Sequence, residues 1–231
     1  MNGGSVVNRF REIVPEQWRY YGYYDAIQFR ANRDIRLLGI GLYAGKARSE
    51  AKAKLYQVID DDEKQAVVVA IIYDTKFNHQ SKCILRLPFA EPVLIRANEW
   101  HTICVKIDST VSDYGKHGMH TVDADGVTFN FRKSTIPDES GTNEHFGQIP
   151  ELYFVKAEEY EAVKEKQDNE RIREMQAEFE KKQQEYEKKI AMQSERLHKM
   201  ESEIDRLRNT LDKAFQKMST WQQHSWIYHT S

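Results

Sequence analysis

No glycine and no proline occurs after residue 150 of this 231-residue chain, although 11 glycines and 5 prolines are spread over the part before it. In a helix interior these residues cost about 1 and 3 kcal/mol each, so the last 81 residues are free to form one long helix. The first part must instead consist of short elements broken by turns. Charge changes at the same place: residues 1–155 hold 39 charged side chains, about a quarter, and residues 156–231 hold 31 of 76, about two fifths. One domain of about 150 residues, large enough to bury a core without staples, and one polar helix are expected. The formal charge of −2, split as −1 in each part, lacks the basic excess that nucleic acid or an anionic membrane would select, and neither is expected as a partner.

Cys83 and Cys104 lie in apolar, strand-like runs. A reduced pair accounts for them at least as well as one bridge, which suits a reducing, cytoplasmic setting. The longest unbroken apolar run, Ala66 to Tyr73, has eight residues, far below the ~20 of a spanning helix. The start, Met1-Asn2-Gly3-Gly4, lacks the basic and apolar regions of a secretory signal, so export is not expected.

Ile27, Phe29 and Ala31 alternate with Gln28 and Arg30; Ile103, Val105 and Ile107 alternate with Thr102, Cys104 and Lys106; Phe129 and Phe131 flank Asn130. Period two predicts half-buried strands. The apolar runs 34–43 and 66–73 predict strands covered on both faces. Turns are expected at Asp60-Asp61-Asp62, Phe77-Asn78-His79, Asp123-Ala124-Asp125-Gly126 and Pro137 to Gly141, and many short strands between turns argue for an all-β antiparallel sandwich. One segment competes: Gly39-Ile40-Gly41-Leu42-Tyr43-Ala44 fits the G-x-G-x-x-G/A phosphate loop, with helix-permissive Lys46 to Leu55 behind it and Asp60 where a ribose-binding acid belongs. A nucleotide fold also needs repeated strand–helix alternation, which residues 56–154 lack, so glycines in a tight strand bend are the preferred reading.

Several of these residues fall into one pattern. Arg9-Phe10, Trp18-x-Tyr20-x-Gly22, Asp25-Ala26-Ile27-x-Phe29 and Ile35-x-Leu37-x-Gly39-x-Gly41-Leu42-Tyr43 are followed in order by three more segments. These are Asp113-Tyr114-Gly115-x-x-Gly118, Phe129-x-Phe131, and Gly141-Thr142 with Gly147-Gln148-Ile149-Pro150-Glu151-x-x-Phe154. Together they resemble the PHR domain, a module named for the Pam, Highwire and Rpm ubiquitin ligases, over residues 8–155; Ala44 departs from the glycine usual in that family. The resemblance implies an antiparallel β-sandwich without a catalytic centre, used for protein docking beside a RING in giant ligases or a BTB domain in cullin adaptors. Residues 1–7 are expected to be a tail too short for a BTB domain, and two cysteines cannot supply the ligand sets of a zinc RING. Any ubiquitin-pathway role would then run through a partner.

Residues 157–218 read as a coiled-coil helix. With Ile190, Leu197, Ile204, Leu211 and Met218 at heptad position a, Tyr186, Met200, Leu207 and Ala214 fall at d. Further back, Ile172 and Phe179 keep d, while Asn169, Gln176 and Gln183 occupy a and should weaken pairing there. A parallel homodimer would bring g to e' as Asp168 with Arg173, Lys182 with Glu187, Arg196 with Glu201, and Glu203 with Arg208, four opposite-sign pairs and no like-sign pair. Pairing with a different chain and a single solvated helix are the alternatives.

No nucleophile–base arrangement stands out, so no enzyme, no catalytic residue and no cofactor is expected. His117 and His120 resemble two metal ligands, but glycines on both sides and the lack of a third donor nearby in sequence favour a surface loop without metal. The acidic run Asp60 to Glu63 lacks the spacing of a calcium loop and reads as a solvated hairpin tip. Partner-docking candidates are Tyr21, Tyr23 and Tyr24 beside the Gly22 turn, Asp113, Tyr114 and His117 in the 112–118 loop, and Trp221 and Trp226 in an uncharged aromatic tail, residues 219–231. The expected function is a cytoplasmic adaptor whose sandwich captures a protein and whose helix dimerises it. The competing reading is a rod or anchor in a cytoskeletal or ciliary assembly.

Overall fold

The structure is a computed structural model that describes residues 4–19, 23–43, 49–77, 83–109, 111–136 and 141–228, with the backbone alone at 49, 74–75, 77 and 220–228. Twelve strands precede one helix: β1 (Ser5–Asn8), β2 (Glu12–Arg19), β3 (Asp25–Ala31), β4 (Ile35–Tyr43), β5 (Ser49–Ile59), β6 (Asp62–Phe77), β7 (Ile84–Ile95), β8 (His101–Asp108), β9 (Val111–Lys116), β10 (Thr121–Ala124), β11 (Val127–Lys133), β12 (Glu151–Lys156) and α1 (Ala157–Tyr228). All described pairings are antiparallel. One sheet runs β1-β12-β4-β7, a second β10-β11-β3-β8-β5-β6, and β2 pairs with β9 in a separate ribbon. The inner faces of the two larger sheets meet in one apolar core. Phe129 of β11 and Phe154 of β12, both fully buried, cross it edge to face with ring centroids 4.9 Å apart. Burial of one such side chain is worth roughly 1.5–3 kcal/mol.

Local chemistry accounts for several elements. Asp125 and Gly126, at φ 51° and 73°, form the two-residue turn joining β10 to β11, the geometry that favours Asp-Gly in hairpins. Asp60 and Asp61, at φ 49° and 61°, turn β5 into β6. Gly39 lies inside β4, not in a phosphate loop. A Cβ there would stand 2.5 Å from the Leu87 carbonyl oxygen of β7, so the residue permits close strand approach at a register shift rather than a bend. Ser49 to Leu55, read as helix-permissive, is the first part of β5. Ala44 to Arg48, and the turn residues 78–79 and 137–140, lie outside the described residues.

Three burial expectations need correction. β3 and β8 are covered on both faces: Gln28 takes a hydrogen bond from Arg132, Thr102 donates to Glu63 at 2.7 Å, and Cys104 is buried. The Ala66 to Tyr73 run is the reverse, because β6 is the outer strand of its sheet; Val67, Val68, Val69, Ile71 and Tyr73 are exposed, and Ile72 alone among those eight is buried. Glu63, read as solvated, is buried and accepts from Thr102, Ser134 and Thr135, with the Thr135 N–H at 2.5 Å. Burial pushes its carboxyl up, but the hydrogen bonds from Ser134 and Thr135 outweigh that and hold it below the usual range. Both cysteines are free, and burial pushes the Cys104 thiol up to about 12.

The chain divides into two compact units, Met1–Glu165 and Lys166–Ser231. The first turns of α1 belong to the first unit. The Ala157 N–H donates to the Asp34 carbonyl, Arg36 pairs with Glu161 and covers Tyr160, and Lys156 bridges Asp125 and Glu159. Glu158 and Glu159 in the first turn complement the helix dipole. From Glu161 to Ser219 every side chain is exposed. Among them, Tyr186, Ile190, Leu197, Met200, Ile204, Leu207, Leu211 and Met218 are each more than half exposed. The helix continues ten residues past Met218, so the backbone expected as a tail is helical to Tyr228. No described helix is long and apolar enough to cross a membrane.

Candidate docking cleft

Positioning begins with a bulge in the β2–β9 ribbon, whose register slips between Val14 and Trp18. Pro15 has no N–H for the ladder, and Glu16 takes φ 51°. The displaced Glu16 N–H donates to Asp113 Oδ1 at 2.9 Å. Asp113, named as a docking candidate, is fully buried and does not line the cleft described below. Past the bulge the Trp18 ring lies 5.3 Å from Tyr114 and 6.3 Å from Phe146, and its indole N–H donates to Asp25 Oδ2 at 3.1 Å.

The loop between β11 and β12 is anchored from below by buried polar groups. Arg9, with no exposed surface, donates to three backbone carbonyls of that loop: Asn143 at 2.7 Å, Ile149 at 3.0 Å and Gln148 at 3.1 Å. Its guanidinium also lies 4.7 Å from the Phe10 ring and 5.1 Å from that of Phe131. Thr142 donates to Asp25 Oδ1 at 2.7 Å and accepts the Gln148 N–H. The Gln148 side chain accepts from the Tyr43 N–H and donates to Ser112 Oγ and the Asp113 carbonyl. Gly115 and Gly147 exchange two backbone hydrogen bonds, and the Gly118 N–H donates to the His145 carbonyl. A Cβ on Gly118 would stand 2.0 Å from the Glu144 carbonyl oxygen, so only glycine lets these two loops touch. The residues that spell the sequence motifs are therefore the ones that hold this loop on the sandwich.

Asp25 makes the network sensitive to pH. Burial pushes its carboxyl up to about 6, against the hydrogen bonds from Thr142 and Trp18. A carboxyl with a native pKa above its unfolded value binds its proton more tightly in the folded state. Its contribution to stability is therefore full below about pH 4 and is lost as pH rises through 6. Asp25→Asn, which stays neutral, is expected to gain roughly 2–3 kcal/mol over the wild type at pH 7 relative to pH 4. Urea midpoints of both chains across pH 4–7 check this, and a constant difference would refute it.

On this support sits an open cleft of about 780 Å³, lined by Trp18, Tyr114, Phe146 and Met119 and by Arg11, Gln17, Lys116, His117, Gly118 and His145. Its walls are aromatic, with 41 % of Phe146 exposed, and its rim carries two fixed positive charges. Lys116 lies over Tyr114 at 5.5 Å, and His117 reaches Glu12 at 3.1 Å. Of the sequence-based candidates, Tyr114 and His117 line the cleft. Tyr23 and Tyr24 are exposed next to β3, where Lys106 covers Tyr24, and they do not line it. Tyr21 lies outside the described residues, as do the side chains of Trp221 and Trp226. Arg11, Phe146 and His145 were not anticipated.

The family model of the PHR domain matches residues 8–155. The chain belongs to the PHR-domain family. It is 34% identical over 155 residues to the E3 ubiquitin-protein ligase MYCBP2 of Danio rerio, covering 65% of this chain and 3% of that protein. Identity to the E3 ubiquitin-protein ligase highwire of Drosophila melanogaster is 29% over 155 residues, again 65% and 3% of the two lengths. With BTB/POZ domain-containing protein 6-A of Danio rerio it is 34% over 139 residues, 60% of this chain and 25% of that one. The chain thus spans a small fraction of the ligases and a quarter of the BTB/POZ protein. A PHR domain shared with ubiquitin ligases and BTB proteins points to a protein-interaction or ubiquitin-related role.

Proposed function

We propose that the chain is a non-enzymatic adaptor: the PHR domain receives a segment of a protein partner in the Trp18–Tyr114–Phe146 cleft, and α1 joins two such heads as a parallel homodimer. The observation that carries the first half is the pairing of aromatic walls with a basic rim on a loop locked from beneath. Rigid aromatic anchors and desolvated arginine dominate protein contacts, and a cleft of this size suits a few side chains of an acidic, apolar-anchored segment. The second half is supported by the exposed apolar row on α1 and by the four opposite-sign g–e' pairs. Two free cysteines suit a cytoplasmic setting.

The test is affinity capture by the full-length chain beside a Phe146→Ala/Lys116→Glu variant, with ubiquitin-ligase components quantified in both. Capture should fall at least tenfold, because one anchor is gone and the rim charge is reversed. Equal capture by both chains sinks the cleft reading. Co-sedimentation of the wild type with microtubules, without ligase components, would favour the rod or anchor.

A further inference from the structure

Three side-chain donors that take no part in holding the loop converge from two separate segments. His120 follows β9, and Glu144 and His145 lie in the β11–β12 loop; together they offer one ligand atom each, all within 4.8 Å of one another. His120 Nε2 and His145 Nε2 each stand 3.9 Å from Glu144 Oε1, beyond hydrogen-bond reach, and the two imidazole rings meet edge to face at 5.0 Å. The other carboxylate oxygen, Glu144 Oε2, is buried and has no hydrogen-bond partner. The buried Arg9 guanidinium already supplies this carboxylate with one positive charge, and Oε1 is the oxygen that faces the two imidazoles.

Two imidazoles and one carboxylate are a ligand set of zinc and related divalent ions. Ligands at 2.0–2.2 Å around a tetrahedral ion lie about 3.3–3.5 Å apart, so the two gaps of 3.9 Å, and a third of at most 4.8 Å between the imidazoles, close with side-chain shifts of roughly half to one and a half ångström. The histidines can make them, since both side chains are largely exposed. The backbone beneath is fixed: the Phe131 N–H holds the His120 carbonyl at 2.7 Å, Gly118 holds that of His145 at 2.9 Å, and Asn143 Oδ1 accepts the His145 N–H at 2.8 Å.

We infer that His120, Glu144 and His145 form a surface site for one divalent transition-metal ion of the zinc class, with water completing the coordination. The site ties the turn after β9 to the β11–β12 loop, so binding stabilises the folded first unit. The experiment is calorimetric titration of the full-length chain with Zn²⁺, repeated with Co²⁺ followed by its visible absorption. Wild type should bind one ion per chain at micromolar or tighter Kd, with a higher melting temperature. His120→Asn and His145→Asn, both at exposed positions, should each weaken binding at least tenfold with unchanged circular dichroism, while His117→Asn leaves it intact. Wild type that binds no ion at 100 µM, or His120→Asn that binds as tightly as wild type, overturns the assignment. Loss on His117→Asn as well would place the ion elsewhere and overturns it too.

Discussion

A full-length chain carrying Arg9→Met is expected to lose roughly 3–5 kcal/mol of folding stability in its β-sheet unit. Methionine fills most of the space between Phe10 and Phe131 and keeps the apolar contact. What disappears is the donor set. The carbonyls of Asn143, Gln148 and Ile149 stay where the fold puts them, and a buried acceptor left without its donor costs about 1–3 kcal/mol. The loss stops short of the full sum because the outermost carbonyl, that of Asn143, can turn toward water. Burial pulls the guanidinium down to about 9, still charged at neutral pH, so removal also relieves a desolvated charge and offsets part of the cost. Arg9→Lys keeps the charge but not the fork, and it should fall between the two chains. Urea unfolding followed by near-ultraviolet circular dichroism reads the sheet unit apart from the helix. An Arg9→Met chain within 1 kcal/mol of wild type would show that the loop needs no anchor.

The second large effect concerns assembly. Ile204 and Leu207 sit at successive a and d positions in the strongest part of the apolar row, each more than half exposed on a single chain. Changing both to aspartate would bury four charges in a parallel dimer, against roughly 1.5–3 kcal/mol gained by each apolar side chain when it pairs. Sedimentation at tens of micromolar should change from dimer to monomer, with the sheet unit untouched. A partner offering two sites should then bind 10²–10⁴-fold more weakly, since the second engagement is no longer intramolecular. A wild-type chain that is monomeric at that concentration removes the basis of the prediction.

Much of the architecture was legible because side-chain period and turn chemistry are local. The Asp125-Gly126 hairpin, the alternation of Phe129 and Phe131, and the break at Pro150 needed only neighbouring residues. Burial from other strands was not legible. Ala66 to Tyr73 is as apolar as a central strand, but its place at the sheet edge is decided by which strands pair, and no pattern within the segment records that. Glu63 reads as a surface acid because its donors, Thr102, Ser134 and Thr135, lie 39 to 72 residues away. The cleft was half visible. Tyr114, in β9, and His117, just after it, belong to a recognisable motif, whereas Phe146 and His145 sit in a loop whose shape comes from Arg9, 134 residues back from Asn143. His120 was weighed beside His117 and read as part of a surface loop without metal, whereas folding brings Glu144 and His145 to it from a distant loop.

Cys104 adds a chemical consequence. It lies on β8, whose neighbours are β3 and β5, and burial of its thiol leaves almost no thiolate at neutral pH. Electrophiles and oxidants attack the thiolate, so the native sheet protects this sulfur as a closed container would. Any covalent adduct found on Cys104 records a moment when its cover had opened, which makes a single buried atom a permanent log of transient local opening.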